Sequence, residues 1–278
     1  MSRAMRVACV QTCATPDVPA NLAQAYGLIE KAAGQGAQLV ALPEAFDCLV
    51  PTATEMHDYA RQEADHLALN MLRQLAGQLR IWLLAGSVSA RSVDGAVANR
   101  SVLIAPDGDV AARYDKVHLF DVDLPDGTSA RESDFYRAGT TGVVAQAPWG
   151  RLGMSICYDV RFPGLYRSLA GAGAEIIAVP AAFSSMTGPL HWEALLRARA
   201  IETGSFVIAP AQCGHHYGER WSHGHSMIID PWGRILAQAG SQVDVIMADI
   251  DLEEVYRFRS AIPSLANGRA ITMGEVAA

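Results

Sequence analysis

Three reactive side chains stand where hydrophobic runs of this 278-residue sequence give out. Leu39-Val-Ala-Leu-Pro43 leads into Glu44, the strand-like run 109–114 leads into Lys116, and the run 151–156 leads into Cys157. A thiol, a carboxylate and an ammonium are chemically complementary. The thiol can attack a carbonyl, the acid can carry its proton, and the cation can face the oxyanion that forms. Each has an ordinary reading when taken alone. Cys157 could be a small buried core residue, Glu44 a solvated loop residue or helix cap, and Lys116 a surface lysine at a strand end. The shared pattern argues against coincidence, because ligands in open α/β sheets collect beyond the carboxyl ends of the strands. Cys157 also lies close to the helix that Pro163 opens, with Arg161 four residues on, a setting that favours thiolate over thiol. Glu44, lodged among Leu42, Pro43 and Phe46, is expected to have a raised pKa suited to moving the thiol proton. The backbone N–H of Tyr158 is a candidate second donor to the oxyanion.

The elements that must position these groups alternate along the chain. Strand patterns fall at 6–11, 39–42, 81–89, 100–104, 109–114, 143–145, 152–156, 175–179, 206–209, 225–229, 234–237 and 245–250. Helical patterns fall at 21–33, 60–79, 165–171 and 190–202, and residues 121–137 read as polar and irregular. Pro106-Asp-Gly108 and Pro231-Trp-Gly233 are turns between paired strands. No repeat or linker interrupts the pattern, so the expectation is one α/β domain over residues 1–278.

Composition bounds the partners. Half of the residues are hydrophobic and 18% are charged, enough to bury a large core. A net charge of −7 with no basic stripe argues against nucleic acid. No run of about 18 apolar residues suggests a membrane span. The sequence enters its first strand pattern almost at once, which leaves no room for a signal peptide. Five scattered cysteines, an odd number, fit reduced thiols in the cytoplasm.

The ordered set Leu42-Pro-Glu44-Ala-Phe46, Tyr114-Asp-Lys116-Val-His118-Leu-Phe-Asp121 and Cys157-Tyr-Asp-Val-Arg161-Phe-Pro163 resembles the nitrilase, or carbon–nitrogen hydrolase, superfamily from residue 6 to about residue 263. The resemblance implies that Glu44, Lys116 and Cys157 are catalytic and that Glu132, a few residues before Gly139, is the family's second glutamate. It implies an α-β-β-α sandwich, paired as αββα–αββα across a homodimer or higher homo-oligomer. It also implies hydrolysis of a small-molecule amide through a thioester, with no metal or organic cofactor.

Within the superfamily, Thr187-Gly-Pro-Leu-His191-Trp-Glu193 is similar to the Nit branch, whose pocket residues would fall at Phe183 and Thr187. The run Ala211-Gln-Cys-Gly214 is similar to the amidases of deaminated glutathione, with ω-amidases of α-keto acids as the alternative. Arg161 and Tyr158 are the further candidates for binding substrate. Arg161 could grip a carboxylate or could be a structural partner of Asp159 or Asp47. Two other readings stay open: a Cys–His hydrolase with His118 or His191 as base, and a non-catalytic protein of the same fold. Cys213, His215, His216, His223 and His225 are zinc-like in type, but their spacing fits no standard structural site. They read as loop histidines near the mouth of the site. Asn99-Arg-Ser101 has the form of a glycosylation sequon, without consequence in the cytoplasm.

Overall fold

The structure is a computed structural model and describes residues 3–124, 127 and 129–273. The strand Ala4–Gln11 shows how the layers arise. Val7 and Cys9 face one core, while Ala8 and Val10 face another. A strand buried on both faces reads as a continuous apolar run, which is why this segment does not alternate cleanly.

The first sheet runs Asp244–Asp251, Ala4–Gln11, Leu39–Ala41, Trp82–Leu84, Val97–Ile104 and Val88–Arg91, with Val110–Asp115 paired to Val97–Ile104. Its central strands are parallel, with Val7 opposite Leu39 and Leu39 opposite Trp82. The second sheet runs Ile235–Gln238, Met227–Ile229, Phe206–Ala209, Ile176–Ala178, Gly150–Met154 and Val143–Ala147. It too is parallel at its centre, with Leu152 opposite Ile176 and Ile176 opposite Phe206.

Val7, Cys9, Leu39 and Leu84 of the first sheet share a core with Leu152, Met154, Ile176 and Val207 of the second. On the outer face of the first sheet, helices Val18–Gly34 and Leu67–Leu79 contribute Leu22, Ile29, Leu69, Leu72 and Leu75. Helices Pro163–Gly171 and Gly188–Thr203 cover the second sheet with Leu169, Trp192 and Leu196. Fully burying a leucine stabilises by about 1.5–3 kcal/mol, so these stripes fix both helix layers to their sheets. The expected α-β-β-α sandwich is thus present. No helix among the described residues is long and apolar enough to cross a membrane.

Three local expectations need correction. The helix expected at 60–79 begins only at Leu67, after the separate helix Ala53–Tyr59 and a 3-10 turn at Glu63–Asp65. The earlier helix has its own start signal, a capping box in which Thr52 and Glu55 exchange hydrogen bonds. The strand expected at 81–89 is broken between Trp82–Leu84 and Val88–Arg91. Gly86 makes the bend at φ +40°, where a β-carbon would sit 2.0 Å from the Pro43 carbonyl oxygen. The residues read as loop histidines instead include a hairpin, Cys213–Tyr217 with Arg220–His223.

Candidate active site

Leu39–Ala41 and Gly150–Met154 are interior strands of their two sheets and share one core between them. Glu44 leaves the first. Cys157 opens the 3-10 helix Cys157–Arg161 just beyond the second, and its N–H is tied to the Pro180 carbonyl at 2.9 Å. Cys157 has φ +47°, a left-handed turn that carries the side chain off the strand direction. Lys116 follows Val110–Asp115 and is held in place by its own backbone, its N–H donating to Asn99 O and its carbonyl accepting from Gly139 N–H.

Lys116 Nζ lies 2.8 Å from Glu44 Oε1, and 2.9 and 2.7 Å from the two oxygens of Glu132. The side chain of Lys116 is 2% exposed, so these carboxylates are what make a buried ammonium tolerable. Asn99 Nδ2 bridges the same pair, 2.9 Å from Glu44 Oε1 and 2.9 Å from Glu132 Oε1. The outer oxygen of Glu44 accepts from Ala182 N–H at 2.8 Å, and that of Glu132 accepts from Phe120 N–H at 2.6 Å. Both carboxylates are therefore held in fixed orientation by donors that cannot rotate away.

Ionisation differs from what the sequence implied. Burial pushes the Glu44 carboxyl up, but the charge and hydrogen bond of Lys116, contact with the Cys157 thiol and the Ala182 N–H outweigh it, and its pKa is lowered. For Cys157, burial and the neighbouring Glu44 charge push the thiol well up against the pull of Lys116. Burial works against the Lys116 ammonium, yet Glu132 and Glu44 more than restore it and raise its pKa well above the usual value. The resting pair is thus a thiol facing a carboxylate, not a preformed thiolate. Arg161, expected from the sequence to favour the thiolate, is engaged elsewhere. Its guanidinium lies over the rings of Phe183 and Tyr158, and Nη2 is 3.2 Å from His191 Nδ1.

These groups open into one cavity of about 490 Å³. Glu44, Lys116, Glu132, Cys157, Tyr158, Arg161, Phe183 and Thr187 all line it, so the structure brings together every site residue expected from the sequence. Such a volume suits a small molecule. The structural ion pair with Asp159 or Asp47, left open for Arg161 as the alternative to gripping a carboxylate, is not formed. Asp159 instead accepts from Tyr114, Ile156 N–H and His118, while Asp47 accepts from the Tyr59 hydroxyl and lies 3.8 Å from His66. Neither His118 nor His191 is among the residues lining the cavity around Cys157, which weakens both as its base.

The histidine cluster is dispersed in its contacts. His216 bonds Ala14 O and Ser222 Oγ, His215 bonds Gly218 O, and His223 stacks on His225. No group of three or more possible metal ligands occurs among the described residues.

Asn99 was read from the sequence only as part of a glycosylation sequon, and its place in the site was missed. It is a polar residue inside a strand, 4% exposed, and its buried amide cannot serve as a glycosylation acceptor in the folded chain. Its partners lie 55 and 33 residues away, so only the polar interruption of an apolar strand hinted at it.

The chain is similar to known proteins over nearly its whole length. The family model described as carbon–nitrogen hydrolase matches residues 6–260. A Synechocystis protein named deaminated glutathione amidase is 45% identical, covering 93% of this chain and 96% of its own. The crystal structure of the C. elegans NitFhit protein superposes with a TM-score of 0.89 at 38% identity and covers 96% of this chain. This chain spans only 65% of that longer polypeptide. A variant of an amidase from Nesterenkonia sp. AN1, with the acetamide moiety of fluoroacetamide covalently added at the active-site cysteine, matches with a TM-score of 0.76 at 27% identity. It covers 92% of this chain and 94% of its own.

Proposed function

The chain belongs to the carbon–nitrogen hydrolase family, and from that membership we propose that Cys157, Glu44, Lys116 and Glu132 cleave a small carboxylated amide, deaminated glutathione first among them. The observation that carries this reading is the buried Lys116 ammonium fixed between two carboxylates beside a buried thiol, at the floor of a small-molecule cavity.

Cys157 Sγ attacks the amide carbon as Glu44 takes the thiol proton, and the carbonyl oxygen becomes an oxyanion facing Lys116 Nζ and the Tyr158 N–H. The C–N bond then breaks, and Glu44 gives the proton to the departing amine. The product is a thioester on Cys157. Water attacks that thioester while Glu44 accepts its proton, and the C–S bond breaks as the proton returns to sulfur. Glu132 keeps the ammonium charged and in place throughout. The lowered pKa of Glu44 suits this order, because the base must be ionised before substrate arrives. The covalent adduct on the cysteine of the Nesterenkonia relative supports the nucleophile.

Arg161 supports a carboxylated substrate, since its guanidinium lines the cavity and engages aromatic faces instead of an acid. The reading includes residence in the cytoplasm, which five free thiols fit, and self-association. Ile201, Trp232 and Tyr256 remain 40–51% exposed and offer apolar surface for a second copy.

The test is to incubate the protein with deaminated glutathione and with α-ketoglutaramate, following cysteinylglycine and ammonia release, and to look for an acylated Cys157 by mass spectrometry after acid quench. Turnover with no acyl adduct, and with full activity in Cys157→Ala, would overturn the mechanism. Turnover of α-ketoglutaramate alone would move the assignment to an ω-amidase.

A further inference from the structure

Three arginines line the cavity, and among the described residues only Arg131 has a carboxylate partner there, Asp123 at 2.8 Å. Arg161 has been placed against two aromatic rings. The remaining one, Arg220, opens the second strand of the hairpin formed by Cys213–Tyr217 and Arg220–His223. Its Nε is buried and has no hydrogen-bond partner, and its Nη2 makes a single long contact, 3.4 Å to Ala182 O. A guanidinium offers five donors in a planar fork, and a buried donor left unused is unfavourable. Glu219 precedes it on the exposed tip of the hairpin but forms no ion pair with it within 4 Å. Arg220 therefore presents an unspent, partly desolvated cation to the cavity.

We propose that Arg220 is a second carboxylate anchor, acting on the leaving-group side, so that the site takes an amide bracketed by two carboxylates. This rests on the amidase reading above. The acyl side falls to Arg161, which is four residues from the nucleophile on the same 3-10 helix and lies over the rings of Tyr158 and Phe183. The leaving side falls to Arg220 because its hairpin ends in the exposed Gly218 and Glu219, at the mouth through which an amine must depart. The substrate class is then a dicarboxylic acid monoamide whose nitrogen belongs to an amino acid or dipeptide with a free carboxyl terminus. A planar bidentate grip explains why arginine stands there and not lysine.

The experiment compares wild type, Arg220→Gln and Arg220→Lys on three substrates: deaminated glutathione, its C-terminal glycinamide, and α-ketoglutaramate. Arg220→Gln should lower kcat/KM for deaminated glutathione roughly 30-fold, mostly through KM, the loss expected for one charge-assisted pair. The two substrates lacking that carboxylate should change less than about twofold, and Arg220→Lys should restore part of the loss. Equal losses on all three would make Arg220 a wall residue supporting Ala182, and no loss on any would leave it without a role; either overturns the proposal. A second arm is independent of turnover. Calorimetric titration of Cys157→Ala with glutarylglycine and glutarylglycinamide should show a preference for the former that disappears in Cys157→Ala/Arg220→Gln. Should wild type cleave none of the three substrates, the substrate reading above fails while this preference still decides the anchor.

Discussion

Asp159 Oδ1 accepts from the backbone N–H of His118 at 3.1 Å and bonds its ring Nδ1 at 2.7 Å. His118 is two residues beyond Lys116, and Asp159 is two residues beyond Cys157. This pair clamps together the two segments that carry the ammonium and the sulfur. The other oxygen of Asp159 accepts from the Tyr114 hydroxyl at 2.7 Å and Ile156 N–H at 2.8 Å, so the fully buried carboxylate is surrounded by donors on all sides.

Replacing that carboxylate by an amide puts a donor against donors. Asp159→Asn should lower unfolding free energy by about 2–3 kcal/mol, and Tyr114→Phe by about 1 kcal/mol. Asp159→Asn should also lower kcat, because Lys116 and Cys157 lose their common brace. Denaturant titration and steady-state kinetics on the two variants check this. A wild-type kcat in Asp159→Asn would mean the clamp is irrelevant to the chemistry.

Glu44→Gln keeps the Asn99 and Ala182 neighbours but removes the base. It should cost about 10²–10⁴ in kcat, whereas His118→Gln and His191→Gln should leave far more activity. If a histidine variant proved the more damaged in kcat, the Cys–His mechanism would return.

The pH profile follows from the displaced ionisations. A base whose pKa is lowered stays ionised as pH falls, so the acidic limb of kcat/KM should lie below the ordinary carboxylate range. A thiol pushed up and an ammonium pushed up set no limb near neutrality. The profile should be flat from about pH 6 to 8. An inflection at about 6.5, the ordinary histidine value, would contradict the assignment of Glu44.

His216 is a source of acid sensitivity. Burial lowers its pKa to about 4, and it is held as a neutral ring between Ala14 O and Ser222 Oγ. The unfolded chain binds that proton more readily, so the stabilisation is complete above about pH 6.5 and drains away as pH falls toward about 4. Its size is on the order of 3 kcal/mol. Thermal melts across that window should show a shallower pH dependence in His216→Gln. Identical slopes would count against a neutral buried ring.

Gly86 has no room for a methyl group. Gly86→Ala places a β-carbon against the carbonyls of Pro43 and Leu42, at a φ that alanine resists. The variant should lose at least ~2 kcal/mol and, because Pro43 carries Glu44, should lose activity as well. Wild-type melting and kinetics would refute this account of the bend.

Much of the site was legible because each reactive residue follows a short apolar strand, a pattern local enough to read directly. Glu44, Lys116 and Cys157 are of this kind. Glu132 was placed only through the family pattern, since it begins a 3-10 turn in an irregular segment with no periodicity. The ionisation of Cys157 and Glu44 was misjudged because it depends on their burial and on the contacts that bring Glu44, Lys116 and Cys157 together, and sequence spacing does not encode that. Arg220 and Asn99 were missed for a related reason. Their importance lies in partners, or in missing partners, brought together by the tertiary fold. The helix expected at 60–79 failed differently: helix-forming residues hid a polar break at residues 62–66, where a 3-10 turn lies between the extended Gln62 and His66.

The left-handed backbone at Cys157 has a consequence for anyone redesigning this chain. A residue with a β-carbon at φ +47° is strained by about 1–2 kcal/mol, and glycine is not. Cys157→Gly should therefore melt higher than Cys157→Ala, and under the proposed mechanism neither should turn over substrate. A screen that selected for thermal tolerance alone would drift toward glycine here and discard catalysis without any warning from the fold. Under the proposed mechanism it is turnover that requires a side chain at this position, against the preference of the backbone that carries it.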